Sequence, residues 1–293
     1  MADTNFADRL FAAVEEKNSR VCVGLDPSLE LLPAPLLAAS ATPAAAVVEF
    51  CRQICAAVAP LAPVVKLQSA FFEALGRAAS ETLWTVVAEA QSQGLLAIVD
   101  GKRNDIGSTA SAYAQAYFGG ETVADALTVN PYLGSDGILP FLEAAEPRGC
   151  GVFVLVRTSN PSAEEFQDLR VEDTTHRLYE HVGEEVRLMG AASVGDRGYS
   201  ALGAVVGATY PEQLASLREQ LPSVPFLVPG YGAQGAGAAE VRAAFDAQGL
   251  GAIVNASRSI IFAYRQAGAP EAFAASAAAA TQTMRDEINA ALV

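Results

Sequence analysis

The run Asp100-Gly101-Lys102-Arg103-Asn104-Asp105 sets a lysine between two aspartates at the end of an apolar stretch, Leu96–Val99. The 293 residues include 16 arginines but only three lysines, Lys17, Lys66 and Lys102. A chain that uses arginine for generic positive charge keeps lysine for work a guanidinium cannot do. The obvious candidate is proton donation, since arginine stays protonated at any ordinary pH. Lys66 also ends an apolar run, Pro63-Val64-Val65-Lys66, whereas Lys17 has an ordinary surface setting. On a regular strand end, Asp100 and Lys102 leave on the same side with Cα atoms about 6.6 Å apart. Lys66 and Asp105 would complete a set of two ammoniums and two carboxylates that alternate in space. Each lysine then stays protonated and each aspartate ionised. Such a network holds a charged proton donor in fixed geometry; the plainer alternative is an ion-pair cluster without chemistry.

Regularly repeated elements must position these groups. Runs rich in Val, Ile and Leu occur at Val21–Leu25, Val64–Leu67, Leu96–Val99, Ala126–Asn130, Gly151–Val156, Gly203–Gly207, Pro225–Val228 and Ala252–Asn255. Helical patterns lie between them at Ala45–Ala59, Phe71–Ser92, Ser108–Phe118, Thr175–Met189, Pro211–Gln220 and Ala236–Ala247. Near-continuous apolar runs mark strands buried on both faces, hence a parallel sheet covered by helices. Eight strand-then-helix units predict an α/β fold, the (β/α)8 TIM barrel, with an open doubly wound sheet as the alternative. Nothing divides residues 1–293, so one domain is expected. It would carry an N-terminal helix, an extended segment near 159–200 and a long Ala-rich C-terminal helix from Pro270 to Leu292. Asp26, Lys66, Asp100, Lys102, Ser159, the glycines after Val228 and Arg258 all fall at C-terminal strand ends. In a barrel those ends share the face where active sites form.

The net charge of −14 argues against nucleic acid as a partner. It still permits a small anionic substrate, because the bulk field is screened over roughly 10 Å. Any such site must supply its own cations. The uncharged stretch from Leu31 to Val48 has the length of a membrane span, but Pro33, Pro35 and Pro43 break it. The N-terminus reads as the start of an acidic amphipathic helix and not as a signal peptide. Cys22, Cys51, Cys55 and Cys150 show neither zinc spacing nor a disulfide framework, and buried thiols are expected. These features predict a cytoplasmic protein. His176 and His181 stand five apart on an outer helix, poor spacing for a shared metal, and no metal site is expected.

Gly230-Tyr231-Gly232-Ala233-Gln234-Gly235 fits the G-x-G-x-x-G dinucleotide pattern, but in the wrong place. That fingerprint belongs to a first β-α unit with an acidic residue about 20 positions on. Here it follows the seventh strand, and position 250 is Leu250. The physics still points to phosphate, since glycines such as Gly232 let backbone N–H groups approach an anion. Loops after strands 7 and 8 form the usual phosphate site in barrels, and Arg258 would add a planar bidentate cation there. The competing readings are a flexible connector for the loop and a surface salt bridge for Arg258.

Asp100-Gly101-Lys102-Arg103-Asn104-Asp105-Ile106-Gly107-Ser108-Thr109 resembles the D-x-K-x-x-D-I-x-x-T signature of the orotidine 5′-phosphate decarboxylases, most closely the longer bacterial type. The similarity extends to Gly24-Leu25-Asp26-Pro27, Val65-Lys66, Asn130-Pro131-Tyr132 and Thr158-Ser159-Asn160-Pro161. It continues in the Pro229–Gly235 loop and in Ser257-Arg258-Ser259-Ile260. Six matching segments in the right order make it specific over most of the chain.

The resemblance implies cofactor-free and metal-free decarboxylation of orotidine 5′-monophosphate (OMP) to UMP and CO2, the last step of de novo pyrimidine nucleotide synthesis. Lys102 would donate the proton, with Asp100, Asp105 and Lys66 completing the charged network. Asp26 and Lys66 would hold ribose hydroxyls, Ser159 the pyrimidine, Gln234 the space between pyrimidine and phosphate, and Arg258 the phosphate. The family's site lies at a homodimer interface, so Asp105 and Thr109 would serve the partner subunit. One rival is a metal-dependent sugar-phosphate decarboxylase or aldolase of the same suprafamily, but such relatives place a Glu ligand where Lys66 stands. A Schiff-base aldolase needs a lysine of lowered pKa, which flanking aspartates oppose. A non-catalytic nucleotide-binding barrel is the third alternative.

Overall fold

Strands that are apolar on both faces need helices over both, or a closed barrel that buries one face inside and removes the unpaired edges. The computed structural model describes residues 5–172, 176–232 and 236–293. In it, β1 (Val21–Leu25), β2 (Val64–Gln68), β3 (Leu96–Arg103) and β4 (Ala126–Val129) lead into β5 (Gly151–Arg157), β6 (Leu202–Val206), β7 (Phe226–Pro229) and β8 (Ala252–Ala256). All neighbours pair in parallel, and β1 closes the barrel against β8 through Val21–Val254 and Val23–Ala256. The expected (β/α)8 barrel is therefore the observed fold, and seven of the eight predicted strands match their observed limits within a residue at each end; β3 runs on to Arg103.

Helices at Pro43–Val58, Ala79–Ser92, Gly107–Phe118, Leu139–Ala145, Leu178–Gly190, Pro211–Gln220 and Phe273–Leu292 cover the outside. The N-terminal helix, Phe6–Glu16, packs against the N-terminal ends of the strands. Phe6 meets Phe153 edge-on at 5.8 Å, and Asp8 accepts the backbone N–H groups of Asp196 and Arg197. That face is devoted to packing, which leaves the opposite one for chemistry. Among the described residues, no helix is long and apolar enough to cross a membrane.

Three local expectations are corrected. Phe71–Ser92 is not one helix: Ser69–Glu73 and Ala79–Ser92 are separated at Gly76, whose φ of +65° interrupts the helical path. The predicted Ala236–Ala247 helix stops at Ala244, where Asp246 Oδ1 takes the N–H groups of Gln248 and Leu250 and turns the chain. Lys17 is no ordinary surface lysine. Its ammonium donates to the Ala62 and Gly94 carbonyls, both at 3.0 Å, and joins two loops to the N-terminal helix. The four cysteines are buried and free, and burial pushes the Cys22 and Cys55 thiols up to about 12, so both are inert core residues.

Candidate active site

Asp100 organises the C-terminal mouth of the barrel. Its Oδ2 accepts from Lys66 Nζ at 2.9 Å and Gln68 Nε2 at 3.0 Å. Its Oδ1 accepts from Lys102 Nζ at 2.6 Å and Thr128 Oγ1 at 2.8 Å. Burial works against an ionised Asp100, but the two ammoniums and their hydrogen bonds outweigh it and hold the carboxyl well below the usual carboxylate range. Lys66 is 5% exposed. Burial opposes its charge, yet Asp100 and Asp26 overcome that opposition and raise its pKa. Both lysines point at this one carboxylate.

The strand does not deliver Lys102 by simple alternation. Val99 stands opposite Leu127 and Arg103 opposite Val129, so Asp100, Gly101 and Lys102 face Thr128 alone. This bulge puts Lys102 at φ +45°, a left-handed conformation rare for a side chain of its length. Thr128 pins the bulge from both directions: its hydroxyl accepts the Lys102 N–H at 2.9 Å and donates to Asp100. Beyond the bulge, Arg103 is anchored to Glu73 at 2.6 Å and to the Tyr117 hydroxyl at 2.8 Å. The Lys102 side chain stays 44% exposed, so the ammonium faces the mouth.

A cavity of about 430 Å³ opens above this network, lined by Lys66, Asp100, Lys102, Thr128, Thr158 and Ser159 among others. A larger neighbouring hollow of about 590 Å³ contains none of the charged network, although it shares Leu155, Thr158 and Gln167 with the first. The smaller cavity holds the charged network. Asp26 lies at the end of β1 with Oδ1 buried and, among the described residues, without a hydrogen-bond partner, a carboxylate oxygen waiting for a donor. Ser159 is half-buried on the loop after β5, and its hydroxyl bonds to no other described residue.

The loops after β7 and β8 adjoin, since Ser259 Oγ lies 3.7 Å from where a Gly232 Cβ would stand. Arg258 is exposed on the short helix Arg258–Ile261 and has no ion-pair partner among the described residues. Gly230 and Gly232 both have positive φ, 106° and 73°. The Gly232 N–H, however, donates to the Ala236 carbonyl at 2.8 Å. Gly232 thus shapes the turn, and its own N–H is not open to an anion. Gln234 lies outside the described residues.

Asp105 does not join the network in its own chain. Its Oδ1 accepts the Ile106 N–H at 2.9 Å, and Thr109 is exposed on the helix that follows. Around them the apolar side chains Ile106, Tyr113, Tyr132 and Leu133 are 52%, 39%, 82% and 40% exposed. His176 and His181 are both exposed. Among the described residues, no group of three or more His, Cys, Asp or Glu side chains is placed to hold a metal ion.

Gln68 and Thr128 are the network members that the sequence reading missed. Both left a faint signal. Gln68 stands two residues after Lys66 on the same strand face, and Thr128 is the one hydroxyl in the apolar run Ala126–Val129.

The model of the family described as orotidine 5′-phosphate decarboxylase / HUMPS matches residues 19–273. The orotidine 5′-phosphate decarboxylase of Rhodopirellula baltica is 48% identical, over 98% of this chain and 96% of its own. That of Clostridium perfringens is 40% identical, over 98% and 99%. The structure of Leishmania donovani OMP decarboxylase superposes with a TM-score of 0.78 at 34% identity, covering 99% of each chain.

Proposed function

Since the chain belongs to the orotidine 5′-phosphate decarboxylase / HUMPS family, we propose that it converts OMP to UMP and CO2 without metal or cofactor, completing de novo pyrimidine nucleotide synthesis in the cytoplasm. The observation that carries this reading is Asp100 held between two ammoniums, with Lys102 turned towards a cavity of nucleotide size. Lys66 stands where the metal-dependent relatives need a Glu ligand.

When the C6–carboxylate bond breaks, its electron pair stays on C6 in the plane of the ring, where the π-system delocalises it poorly. CO2 departs, and positive charge fixed close to C6 is what lowers the barrier. Lys102 supplies that charge and then its proton, which forms the C6–H bond of UMP; solvent reprotonates the amine. Asp100, itself fixed by Lys66, keeps the Lys102 ammonium aimed at the cavity. The unpartnered Asp26 oxygen takes a ribose hydroxyl, Ser159 the pyrimidine and Arg258 the phosphate. Binding of these unreactive parts positions the reacting carbon.

The direct test is the loss of OMP ultraviolet absorbance with the enzyme in EDTA, where turnover is expected to equal that in buffer alone. EDTA-sensitive turnover would favour the metal-dependent relatives. Arg258→Ala is expected to raise KM about 100-fold, the loss of a charge-assisted phosphate contact, with a smaller change in kcat. An unchanged KM removes Arg258 from the phosphate site.

Asp105 and Thr109 act in the partner's site of a homodimer. Two features support this: among the described residues Asp105 bonds only to its own loop, and the side chains around it are exposed and apolar, as at interfaces. Mixing Lys102→Ala and Asp105→Asn subunits, each inactive alone, should restore turnover, because one site of each mixed dimer has both groups intact. Mixtures as inactive as their components would place Asp105 outside the neighbouring site.

A further inference from the structure

Arg157 heads the fully buried side chains by size, at 1% exposed, and the charged network makes no use of it. It ends β5 immediately before Thr158 and Ser159. Its Nε donates to Gln213 Oε1 at 2.7 Å and its Nη1 to Gln167 Oε1 at 3.1 Å, while Nη2 lies 3.5 Å from Asp168 Oδ2. Its guanidinium carbon also sits 4.6 Å from the ring centre of Tyr210 and 5.6 Å from that of Tyr179. Desolvating a guanidinium is costly, and among the described residues its one nearby carboxylate, Asp168, is at long range. Net stability is therefore a weak explanation for this residue. What it holds in place is a better one.

A guanidinium donates and never accepts, so Gln167 must turn its carbonyl oxygen towards Arg157. That choice fixes the rest of the amide. Gln167 Oε1 also accepts the Thr158 N–H at 2.9 Å, and Gln167 Nε2 donates to Thr158 Oγ1 at 2.7 Å. Thr158 Oγ1 in turn donates to Asn160 Oδ1 at 2.6 Å. The turn from Thr158 to Asn160 thus hangs from one side chain whose orientation Arg157 sets.

Gly207, just beyond β6, bounds the same turn on its other side. Its N–H donates to the Arg157 carbonyl at 2.7 Å. A Cβ at this position would stand 2.8 Å from Ser159 Cβ, closer than real side chains approach, and a tight 3.0 Å from Ser159 Cα and N. Ser159 is therefore set between a bare backbone and the Gln167 staple, at the wall of the cavity.

We propose that Arg157 and Gln167 are positioning residues that hold Ser159 against the pyrimidine ring, and so govern affinity for the base and not for the ribose phosphate. The proposal rests on the substrate assigned above. It predicts one signature for two unrelated substitutions. Gln167→Met keeps length and removes both polar ends of the staple; Gly207→Ala pushes Ser159 from the opposite side. In each, the Kd for UMP rises about tenfold, the worth of one hydrogen bond in a dry site. KM for OMP rises in parallel, while inhibition by ribose 5-phosphate keeps its wild-type strength. Arg157→Met should share the pattern if it folds, and the other two variants decide the matter if it does not. UMP affinity unchanged in both variants, or equal losses for UMP and ribose 5-phosphate, overturns the proposal. OMP turnover by the wild type, run alongside, tests the substrate assignment separately. If it fails while UMP alone loses affinity in the variants, the positioning role stands and the reaction does not.

Discussion

Lys102→Ala is expected to cut kcat/KM for OMP by about 10⁵-fold or more, with little change in thermal stability. The size follows from two losses at one atom. A positioned proton donor contributes about 10²–10⁴-fold, and a fixed charge beside a developing anion about 10²–10³-fold. The fold should survive because the Lys102 side chain is 44% exposed, and Asp100 retains Lys66, Gln68 and Thr128 as partners. Lys102→Arg separates the two contributions: charge is kept, but no transferable proton remains at neutral pH. It is expected to stay far below wild type, since the carbanion would find charge without a proton. UMP formation followed by chromatography, together with melting curves, gives both answers. Near-normal turnover in the alanine variant would sink the assignment of Lys102.

Asp100→Asn should be the most damaging substitution to fold and reaction together. The carboxylate accepts four hydrogen bonds, two of them from ammoniums. An amide replaces one acceptor oxygen by a donor and leaves Lys66 buried beside a neutral group. Removing one partner of a buried pair costs about 3–5 kcal/mol. The pH dependence gives a sharper test. In the wild type, the depressed Asp100 pKa contributes stability above its unfolded value of about 3.9, lost as pH falls through the folded value. The raised Lys66 pKa contributes stability below about 10.4, lost as pH rises through the folded value. The pair is thus at full strength from about pH 4 to about pH 10. In the variant, burial dominates Lys66 and lowers its pKa. The unfolded chain then binds more protons than the folded one, and stability climbs with pH towards 10. Melting temperatures from pH 6 to 10 should be flat for this contribution in the wild type and rising in the variant. Parallel curves of equal height would mean that Asp100 does not hold Lys66 charged.

The barrel was legible because strands buried on both faces write themselves as apolar runs, and eight such runs with helical patterns between them admit few topologies. Lys66, Asp100 and Lys102 were legible for a different reason, the scarcity of lysine. What could not be read depends on pairing between strands. The bulge at Asp100–Lys102 exists because β4 offers only Thr128 against three residues, and nothing in Asp100-Gly101-Lys102 alone announces it. Gln68 and Thr128 are common residue types whose meaning comes only from the carboxylate they share. Arg157 looked like one more of 16 arginines, and Lys17 like an ordinary surface residue. Burial in one case and two backbone carbonyls in the other give them their roles.

Among the described residues, only Asn18 and Lys102 hold a positive φ without being glycine. For an L-residue such a conformation is uphill by roughly 1–2 kcal/mol, and glycine would relieve it. A redesign aimed at thermal stability that removes left-handed non-glycine residues would select both positions. At Asn18 the exchange would remove a side-chain acceptor of Arg20, which keeps Gly249 and Asn289 as partners. At Lys102, on the proposed mechanism, it would give a sturdier barrel with no proton donor. The backbone preference and the chemical requirement conflict at this one residue, and a population drifting towards stability could accept glycine there only by giving up the reaction.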